Sequence, residues 1–518
     1  MPVFRLGVDV GETNTDAVIV DAAGRLIAQV KTATTPDVTN GIQAAIAQLL
    51  ATNPVPRRAI RCVMLGTTHA SKAILERRHL GRVAVVRIGG PATRAFPPLA
   101  LWPDDLRTAV SAGEIVVDGC IGIDGEELMP LDTDAIVGFL EPLAGRVNAV
   151  AVTSVYASVS EAQELAAARI ANEVLHGIHV SMSHEIGTFG LLERENATVL
   201  NAALIGCIAG VASALEVTLR AHDLDAEVYL AQSDGTLMAV DYALTHPALT
   251  IASGRANGVC GAARLTGIDD ALVVDVGNAA IHVGMLTKGL PLEATGAHRI
   301  GGVMTNFRVP ASVDVEVGAG SIISGHGAGV VVGPQSVGSR LSQEALVFGG
   351  STPTVIDAAV AAGRAVIGKP QRTRPHRRML STALSKIDGR IGTAAAAMKL
   401  SSESLPMIVV GGGAFIVPDA FEGVSQVVRP VSHEVANAIG AATASVGGNV
   451  DRLVDLATGD ADAAVEAARE AAVARAICAG ADPQRTTTVV EELVPLAYLT
   501  NPAARIRVEV TGPPASLG

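Results

Sequence analysis

A strand that ends in an acid and breaks into a glycine turn occurs twice in this chain, far apart in sequence. The first copy is FRLGVDVGETNTD at 4–16, and the second is ALVVDVGNAAIH at 271–282. Each copy leads into a second strand, a turn and a third strand, at 17–31 and 281–293. Recurrence of a whole layout indicates duplicated domains. Because each turn presents backbone N–H groups beside an acid, the pattern predicts two related domains that close on one nucleotide.

The residue types in these loops suit a phosphate and its metal ion. Asp9 ends the first strand, where its carboxylate would lie on the metal side while N–H groups of the turn face phosphate oxygens. Asp275 would act from the opposite domain, on the metal's water shell or on the attacking nucleophile. The other predicted nucleotide contacts in the two loops are Gly11, Thr13, Asn14, Thr15 and Gly277. The second loop lacks hydroxyl groups, because it reads Asn278, Ala279 and Ala280.

Two more strand ends carry candidate site residues. The apolar strand 407–410 runs into a glycine turn whose backbone freedom predicts close approach to adenosine and the α-phosphate. That turn consists of Gly411, Gly412 and Gly413. The strand 61–65 ends in two hydroxyls and an imidazole, which are candidate contacts for phosphate or substrate: Thr67, Thr68 and His69. Without a ligand, the glycines would form a plain turn, and a lone histidine is more often structural.

Composition narrows the class of protein. The chain has 518 residues, 49% apolar and 17% charged, which is too long for one core and predicts two or three domains. A net charge of -12 argues against a nucleic-acid-binding face. Five scattered cysteines favour small buried residues over disulfides or a metal site. No signal core precedes the first strand and no window resembles a membrane span, so we expect a cytoplasmic protein.

Hydrophobic periodicity predicts alternating strands and helices, and therefore an α/β fold with a largely parallel sheet and a meander at one side. The predicted helices are 41–50, 161–175, 191–220 and 460–478, with a buried strand at 149–153. Extended stretches at 487–496 and 505–510 predict a small appended unit. We divide the chain into three segments: 1–185 with the first loop, 186–448 with the second loop and the glycine turn, and 449–518 as the C-terminal helix and extended part.

Several stretches match the motifs of one known family. They are DVGETNTDAV at 9–18, GTTHA at 66–70, AILER at 73–77, RENATVLNAA at 194–203, VGPQSVG at 332–338 and FGG at 348–350, followed by Pro353, Thr354 and Asp357. These residues resemble the A subunits of the hydantoinase/oxoprolinase group, within the superfamily of actin-like, sugar-kinase and Hsp70-like ATPases. The resemblance covers nearly the whole chain.

This resemblance implies duplicated actin-like ATPase domains, ribonuclease H-like in fold, around a central nucleotide cleft with a small C-terminal appendage. It implies ATP and Mg²⁺ as cofactors, with Asp9 and Asp275 as catalytic acids on the metal side. The implied reaction is ATP-dependent attack on a cyclic amide such as a hydantoin, lactam or oxoproline, whose carbonyl oxygen is phosphorylated before ring opening. A B-type partner subunit or a homo-oligomer is expected, and neither nucleic acid nor a membrane is. The suggested substrate contacts are Thr67, Thr68, His69 and Lys72.

Some residues depart from the family pattern at predicted ligand-facing loops. Glu12 replaces a glycine of the first loop, Lys72 replaces an asparagine after the GTT motif, and Arg255 replaces the proline of a Ser-Gly-Pro turn. If Lys72 and Arg255 point into the cleft, they would compensate the charge of Glu12. The departures leave alternatives open: a non-catalytic or ATPase-impaired member that acts as a binding or assembly subunit, a ketone carboxylase-type subunit, or a small-molecule kinase.

Overall fold

The structure is a computed structural model that describes residues 2–11, 13–34, 38–53, 55–187, 189–294, 296–456, 460–496 and 503–517. Glu12, on which one prediction rests, lies outside these residues. Within the described ranges the strands are β1 (Phe4–Val10), β2 (Asn14–Asp21), β3 (Leu26–Ala33), β4 (Ile60–Gly66), β5 (Val83–Gly90), β6 (Ser111–Asp118), β7 (Cys120–Ile121), β8 (Glu127–Met129), β9 (Ala149–Ser154), β10 (His179–Met182), β11 (Glu227–Ala231), β12 (Leu237–Ala239), β13 (Ala271–Val276), β14 (Ile281–Thr287), β15 (Leu290–Pro291), β16 (His298–Ile300), β17 (Val303–Thr305), β18 (Ser312–Val315), β19 (Ser321–Ser324), β20 (Val331–Ser336), β21 (Leu405–Val410), β22 (Val424–Val428), β23 (Val446–Asp455), β24 (Thr487–Pro495) and β25 (Ala503–Gly512).

The α-helices lie between these strands, and each long helix that the sequence predicts is present within two or three residues of its predicted bounds. In the described residues they are α1 (Val38–Thr52), α2 (His69–Glu76), α3 (Asp104–Val110), α4 (Thr133–Leu140), α5 (Ala162–Val174), α6 (Ser183–Ile186), α7 (Leu191–Ala221), α8 (Val240–Thr245), α9 (Ser253–Thr266), α10 (Leu341–Glu344), α11 (Val355–Ala361), α12 (Arg377–Met398), α13 (Ala436–Thr443) and α14 (Ala461–Cys478). The predicted buried strand at 149–153 is β9, whose residues are all buried.

The largest sheet has nine strands in the order β24-β25-β23-β12-β11-β4-β1-β2-β3. Parallel pairing joins β23 to β12, β11 to β4 and β4 to β1, whereas the other neighbours are antiparallel. The prediction of a largely parallel sheet is therefore wrong for this sheet. Short turns connect β1 to β2 and β2 to β3. Strands joined by a short turn must run antiparallel, because a parallel pair needs a long crossover connection.

A second sheet repeats the local arrangement around β1. Its order is β15-β14-β13-β21-β22, and β18 pairs with β14. β1 pairs antiparallel with β2 and parallel with β4. In the same way, β13 pairs antiparallel with β14 and parallel with β21. A third sheet, β10-β9-β5-β6, is wholly parallel. Strong apolar runs in its strands fit burial on both faces.

Helices α9 and α13 cross between the two larger sheets. A Cβ on Gly261 would overlap the carbonyl of Ala436, and a Cβ on Gly440 would overlap the carbonyl of Asn257. The two backbones are therefore in direct contact. Helix α13 packs on β1, where a Cβ on Gly7 would overlap the Ala438 carbonyl. The crossing fixes the distance between the end of β1 and the end of β13.

Helix α7 runs through the core between the largest sheet and the third sheet. By length and composition it could cross a membrane, and it is the one helix in the described residues for which this holds. Core helices of large proteins pass the same test, and 56% of its most apolar window is buried inside the protein. Its first turns carry Arg194, Glu195 and Asn196, all buried and bonded to neighbouring elements.

The C-terminal residues are not a separate appendage. Strands β23, β25 and β24 extend the nine-stranded sheet, and α14 packs on them. Ile506, Val508 and Val510 of β25 belong to the same apolar core as residues of α7 and β4. The expectation of a small appended unit is wrong, because β25 shares an apolar core with α7 and β4, and β23 pairs with β12 through Leu237 and Val446. The division into three segments stays a prediction, and the nine-stranded sheet takes strands from all three.

Candidate functional site

A row of charged side chains crosses the first hairpin. The register places Asp9 of β1 opposite Asp16 of β2, and Asp16 opposite Lys31 of β3. Residues directly opposite in an antiparallel pair lie on the same face, so all three side chains point the same way. Lys31 Nζ lies 2.7 Å from Asp16 Oδ1 and also donates to the Glu434 carbonyl just before α13, at 3.2 Å. Lys31 thus forms an ion pair with Asp16 and ties β3 to the chain just before α13.

The second sheet carries an equivalent row. Asp275 of β13 lies opposite His282 of β14, and His282 lies opposite Asp314 of β18. His282 Nδ1 is 2.8 Å from Asp314 Oδ1. Arg255, in the first turn of α9, reaches the other oxygen of Asp314 at 2.8 Å and Ser312 Oγ at 3.3 Å. The positive charge of Arg255 is therefore paired with the carboxylate of Asp314.

The two rows come together at Asp9 and Asp275. Asp9 is 8% exposed, and burial, together with the charges of Asp16 and Asp275, raises its pKa to about 8. Burial raises the pKa of Asp275 as well, although the neighbouring His282 and an Asn437 amide work against the rise. Asp16 also has a raised pKa, caused mainly by burial. We call Asp9, Asp16 and Asp275 the acid cluster.

Two asparagines of the crossing helices lie at the acid cluster. Asn437 Nδ2 of α13 donates to Asp275 Oδ2 at 3.3 Å. Asn257 of α9 is fully buried, and its Oδ1 has no hydrogen-bond partner in the described residues. A Cβ built on Gly66 would lie 2.5 Å from Asn257 Nδ2 and 2.6 Å from Asp9 Oδ1. The Asn257 amide is therefore held beside Asp9, where it works against the rise in the pKa of Asp9, and its unpartnered Oδ1 is unusual for a buried amide.

The glycine turns surround these acids closely. In both loops the first glycine N–H bonds to the carbonyl three residues on, Gly11 to Asn14 and Gly277 to Ala280, at 3.0 Å. Gly411 has φ +88, and a Cβ there would lie 2.5 Å from Asp275 Oδ1. Gly413 N–H donates to the Val276 carbonyl at 3.0 Å, whereas Gly412 has open space around it. The glycine run thus follows the end of β13, with Gly412 free to meet a ligand.

The strand end after β4 adjoins the first loop. Gly66 pairs with Asp9 across the parallel strands, and Thr68 Oγ1 donates to the Val10 carbonyl at 3.3 Å. Thr67 is buried and bonded to His69 Nδ1. Burial and the nearby Lys72 lower the pKa of His69 to about 4, so its imidazole is neutral at pH 7.

Thr15 is not where the sequence predicts it. Its hydroxyl is fully buried and lies 3.1 Å from Thr34 Oγ1. Since side chains alternate along a strand, Thr15 points to the face opposite Asp16 and the acid cluster. The predicted phosphate contact through Thr15 is therefore wrong, and Asp16 takes the place on that face. Thr13 and Asn14 remain at the loop, where Asn14 Nδ2 donates to Thr13 Oγ1 at 3.2 Å.

A neighbouring turn packs against the second loop. Backbone N–H groups of Ala319 and Gly320 donate to the carbonyls of Gly277 and Asn278, at 3.1 and 2.9 Å. Asn278 Nδ2 donates to the Gly338 carbonyl at 3.0 Å, and its Oδ1 is buried without a partner. A neighbouring turn thus covers part of the loop that the sequence predicts to be open to phosphate.

The donor set at the acid cluster fits a hard divalent cation accompanied by phosphate. Three carboxylates repel one another with one lysine to offset them, and Mg²⁺ binds through one or two carboxylates plus phosphate oxygens. Among the described residues no group of three or more His, Cys, Asp or Glu side chains is arranged to hold a metal alone. The site therefore suits a cation that arrives with a nucleotide.

Sequence reasoning missed Asp16, Lys31, Asn257 and Asp314. The hairpin register offered a signal for Asp16 and Lys31, because a tight turn after Asp9 fixes which residues lie opposite. No local signal marks Asn257, which comes close to Asp9 only through the helix crossing. The Lys72 side chain makes no hydrogen bond or ion pair among the described residues, and compensation of Glu12 by Lys72 or Arg255 stays a prediction.

The fold and site define an α/β protein with two acids at equivalent strand ends facing each other. Two family profiles match: the hydantoinase/oxoprolinase N-terminal region at residues 5–175 and hydantoinase/oxoprolinase at 194–368. The chain belongs to the hydantoinase/oxoprolinase family.

Curated relatives agree with this assignment. The chain is 26% identical over 392 residues to caprolactamase subunit alpha of Pseudomonas jessenii, covering 70% of this chain and 54% of that protein. It is 26% identical over 398 residues to the acetophenone carboxylase gamma subunit of Aromatoleum aromaticum, covering 69% and 53%. The chain thus spans about half the length of the curated relatives it matches. The solved structure of ATP-dependent caprolactamase from Pseudomonas jessenii shares the fold, with a TM-score of 0.73 at 18% identity, over 98% of this chain and 87% of that one.

Proposed function

We propose that this chain is the nucleotide-binding subunit of an ATP-dependent enzyme that activates the carbonyl of a cyclic amide by phosphorylation, before the ring is opened. The observation that carries the proposal is the meeting of Asp9 and Asp275 from equivalent strand ends of two sheets. The printed name of the relative caprolactamase subunit alpha supports a lactam-like substrate. An unactivated amide is a poor electrophile, and transfer of a phosphoryl group to its oxygen supplies a leaving group.

The duplicated arrangement is part of this proposal. We treat the β1-β2-β4 and β13-β14-β21 units as two copies of one ATPase half, because hairpin, parallel neighbour and acid recur in the same order. Each half then contributes one acid and one glycine turn to a shared nucleotide site. A cytoplasmic location belongs to the same proposal.

Each residue of the acid cluster has a role that its surroundings support. Asp9 and Asp275 would hold Mg²⁺ with the nucleotide, and Lys31 keeps Asp16 oriented beside them. The bound cation would neutralise charge on the phosphates during transfer. Asn257 offers an unpartnered Oδ1 next to Asp9 that would accept a hydrogen bond from a bound water. Thr67 and Thr68 lie next to Asp9 through the β1–β4 pairing and would position the acceptor.

Titration calorimetry of Mg-ATP tests the proposal. The wild-type chain should bind, and Asp9→Asn should weaken binding by roughly tenfold or more, since a charge-assisted contact is worth about 1.5–3 kcal/mol. Asp21→Asn is the matched control, because Asp21 ends the neighbouring strand and pairs with the exposed Arg25. No binding by the wild type, or equal binding by Asp9→Asn, would contradict the proposal.

An ATPase-impaired binding or assembly subunit is the second candidate, favoured by the enclosure of the second loop. A chain of this kind would bind a nucleotide without turning it over. Phosphate release measured with candidate lactams, in the presence of a B-type partner subunit, separates the two. Substrate-dependent phosphate release supports the enzyme, whereas binding with no release under any pairing supports the assembly subunit.

A ketone carboxylase-type activity is a third candidate, because the acetophenone carboxylase gamma subunit is as similar as the caprolactamase subunit. In that case the phosphate release with a ketone would depend on bicarbonate. A homo-oligomer in place of a partner subunit would show itself as activity of the isolated chain.

A further inference from the structure

A cavity of about 310 Å³ lies apart from the acid cluster. Its walls include the loop 157–161, the segment 184–187, the turn 232–234 and the strand residues 447–452, together with Tyr242, Leu249, Asn306, Arg308 and Arg475. No residue of the acid cluster lines it. Since one water occupies about 30 Å³ in the liquid, the volume suits a small organic molecule.

Two arginines line this cavity without a carboxylate partner in the described chain. Arg475 of α14 donates to the backbone carbonyls of Asn449 and His184, at 2.9 and 3.3 Å, and forms no ion pair. The side chain of Arg452, in β23, has neither a hydrogen bond nor an ion pair in the described residues. Burial together with Arg475 lowers the pKa of Arg452, and Glu161, which also lines the cavity, works against this. Two partly buried guanidinium groups that form no ion pair in the described residues keep donors for an anion.

The position of Arg475 follows from how closely α14 packs on β23. A Cβ on Gly448 would overlap the backbone N of Ala476, so the helix lies directly on the strand. This contact brings Arg475 over Asn449 and towards the cavity. The arrangement is built by the fold and does not depend on a flexible surface side chain.

The cavity also contains acceptors that no donor satisfies. The Glu185 side chain has no hydrogen bond or ion pair in the described residues, and burial raises its pKa, while the nearby His184 and Arg475 work against the rise. Asn306 is 9% exposed and its Oδ1 is buried without a partner, while its Nδ2 donates to the Phe189 carbonyl at 2.7 Å. A ligand that satisfies both Glu185 and Asn306 must carry several hydrogen-bond donors, and an ammonium group supplies three together with a positive charge, which a phosphate ion lacks.

We propose that this cavity binds a small amino carboxylate, with its carboxylate on Arg452 and Arg475 and its ammonium on Glu185 and Asn306. The charges of such a ligand match both halves of the lining, whereas a simple anion or a simple amine matches one. Opening a cyclic amide yields an amino carboxylate, so the ligand would be a product or an effector of the reaction if the proposed function holds. The proposal that the cavity binds such a ligand does not depend on that function.

Calorimetry on the full chain without nucleotide tests this site. The probes are 5-aminopentanoate, pentanoate, pentylamine and inorganic phosphate, and the first should bind best. Arg452→Gln should weaken 5-aminopentanoate by roughly ten- to hundredfold, the effect of a lost charge-assisted hydrogen bond. Arg475→Gln should do the same, and Arg452→Gln is the safer variant because Arg452 makes no hydrogen bond to the protein. Glu185→Gln should abolish the preference for 5-aminopentanoate over pentanoate.

Two controls separate this site from the nucleotide site and from general effects on folding. Arg469→Gln changes an arginine of the same helix that pairs with Glu466 and Glu491 outside the cavity, and it should leave binding unchanged. Asp9→Asn should also leave 5-aminopentanoate binding unchanged, so failure of the nucleotide proposal would not be mistaken for failure here. Absence of binding, tighter binding of phosphate, or unaltered affinity in Arg452→Gln would overturn the proposal.

Discussion

At the scale of single residues, the core contains a fully buried ion pair. Arg87 of β5 and Glu195 of α7 are each 1% exposed in their side chains and meet through two contacts of 2.6 Å. Arg87 also donates to the Phe96 carbonyl, at 2.5 Å. Burial raises the pKa of Glu195, which shows that the carboxylate depends on its partner.

Replacing one member of this pair should lower the free energy of unfolding far more than replacing both. We expect Arg87→Met to destabilise the protein by about 3–5 kcal/mol, because it leaves Glu195 buried without a countercharge. The double variant with Glu195→Leu should recover much of that loss. Urea unfolding measures the effect, and Arg25→Ala, which breaks the exposed pair with Asp21, should change stability by less than about 1 kcal/mol. A small effect of Arg87→Met would show that water reaches the pair.

His246 provides a pH-dependent contribution to stability. It stacks on Tyr242 at 4.0 Å, and burial lowers its pKa to about 4. The unfolded chain takes up a proton near pH 6.5 while the folded chain does not, so the contribution is complete above pH 6.5 and is lost as pH falls towards 4. His246→Phe keeps the stacking and should flatten that decline in thermal melts between pH 7 and 4. The exposed His326→Gln should leave the slope unchanged, and an unaltered slope in His246→Phe would contradict the assignment.

At the scale of elements, the crossing of α9 and α13 positions the site. Gly261 and Gly440 let the two backbones touch, and Asn257 and Asn437 thereby reach the acid cluster from opposite helices. The main contribution of the two helices to the site is therefore to place these two amides beside the acids.

Gly440→Ala should therefore damage stability and nucleotide binding together. Its new methyl group would overlap the Asn257 carbonyl, and overpacking of this kind costs about 1–3 kcal/mol. Gly254→Ala is the control, because it lies in α9, the other helix of the crossing, with no atom within 4 Å of a new Cβ. It should be neutral or stabilise by about 0.5–1 kcal/mol. Urea unfolding and Mg-ATP titration report the two effects, and a Gly440→Ala variant with normal binding would argue against the crossing as the positioning device.

At the scale of the whole molecule, the C-terminal strands tie the sheets together. Glu293, which follows β15, contacts Arg308 and Arg507, and Arg308 also contacts Glu509 of β25. This charged network connects the last strand of the largest sheet to residues that follow β15 of the second sheet. It is a second connection between the two sheets, besides the α9–α13 crossing.

Deleting residues 487–518 should unfold the remaining chain. The deletion removes the strand that pairs with β23 along its whole length and uncovers the apolar face under α14, where each buried aliphatic side chain stabilises by about 1.5–3 kcal/mol. Thermal melts and limited proteolysis would show loss of a cooperative transition. A truncated chain that melts normally would support the small appendage that the sequence predicts.

The sequence by itself determined the strand-acid-glycine pattern, the long helices and hence Asp9 and Asp275 as candidates, because strand ends, turns and helical periodicity are local in the chain. It did not determine that Asp16 rather than Thr15 shares the face of Asp9, that β24 and β25 complete the main sheet, or that Asn257 lies beside Asp9. The first depends on the register of the β1–β2 hairpin. The other two depend on the pairing of β12 with β23 and on the α9–α13 crossing, which join residues hundreds of positions apart. Only the tertiary structure brings such residues together, because their contacts are selected by packing of the whole chain and leave no local pattern.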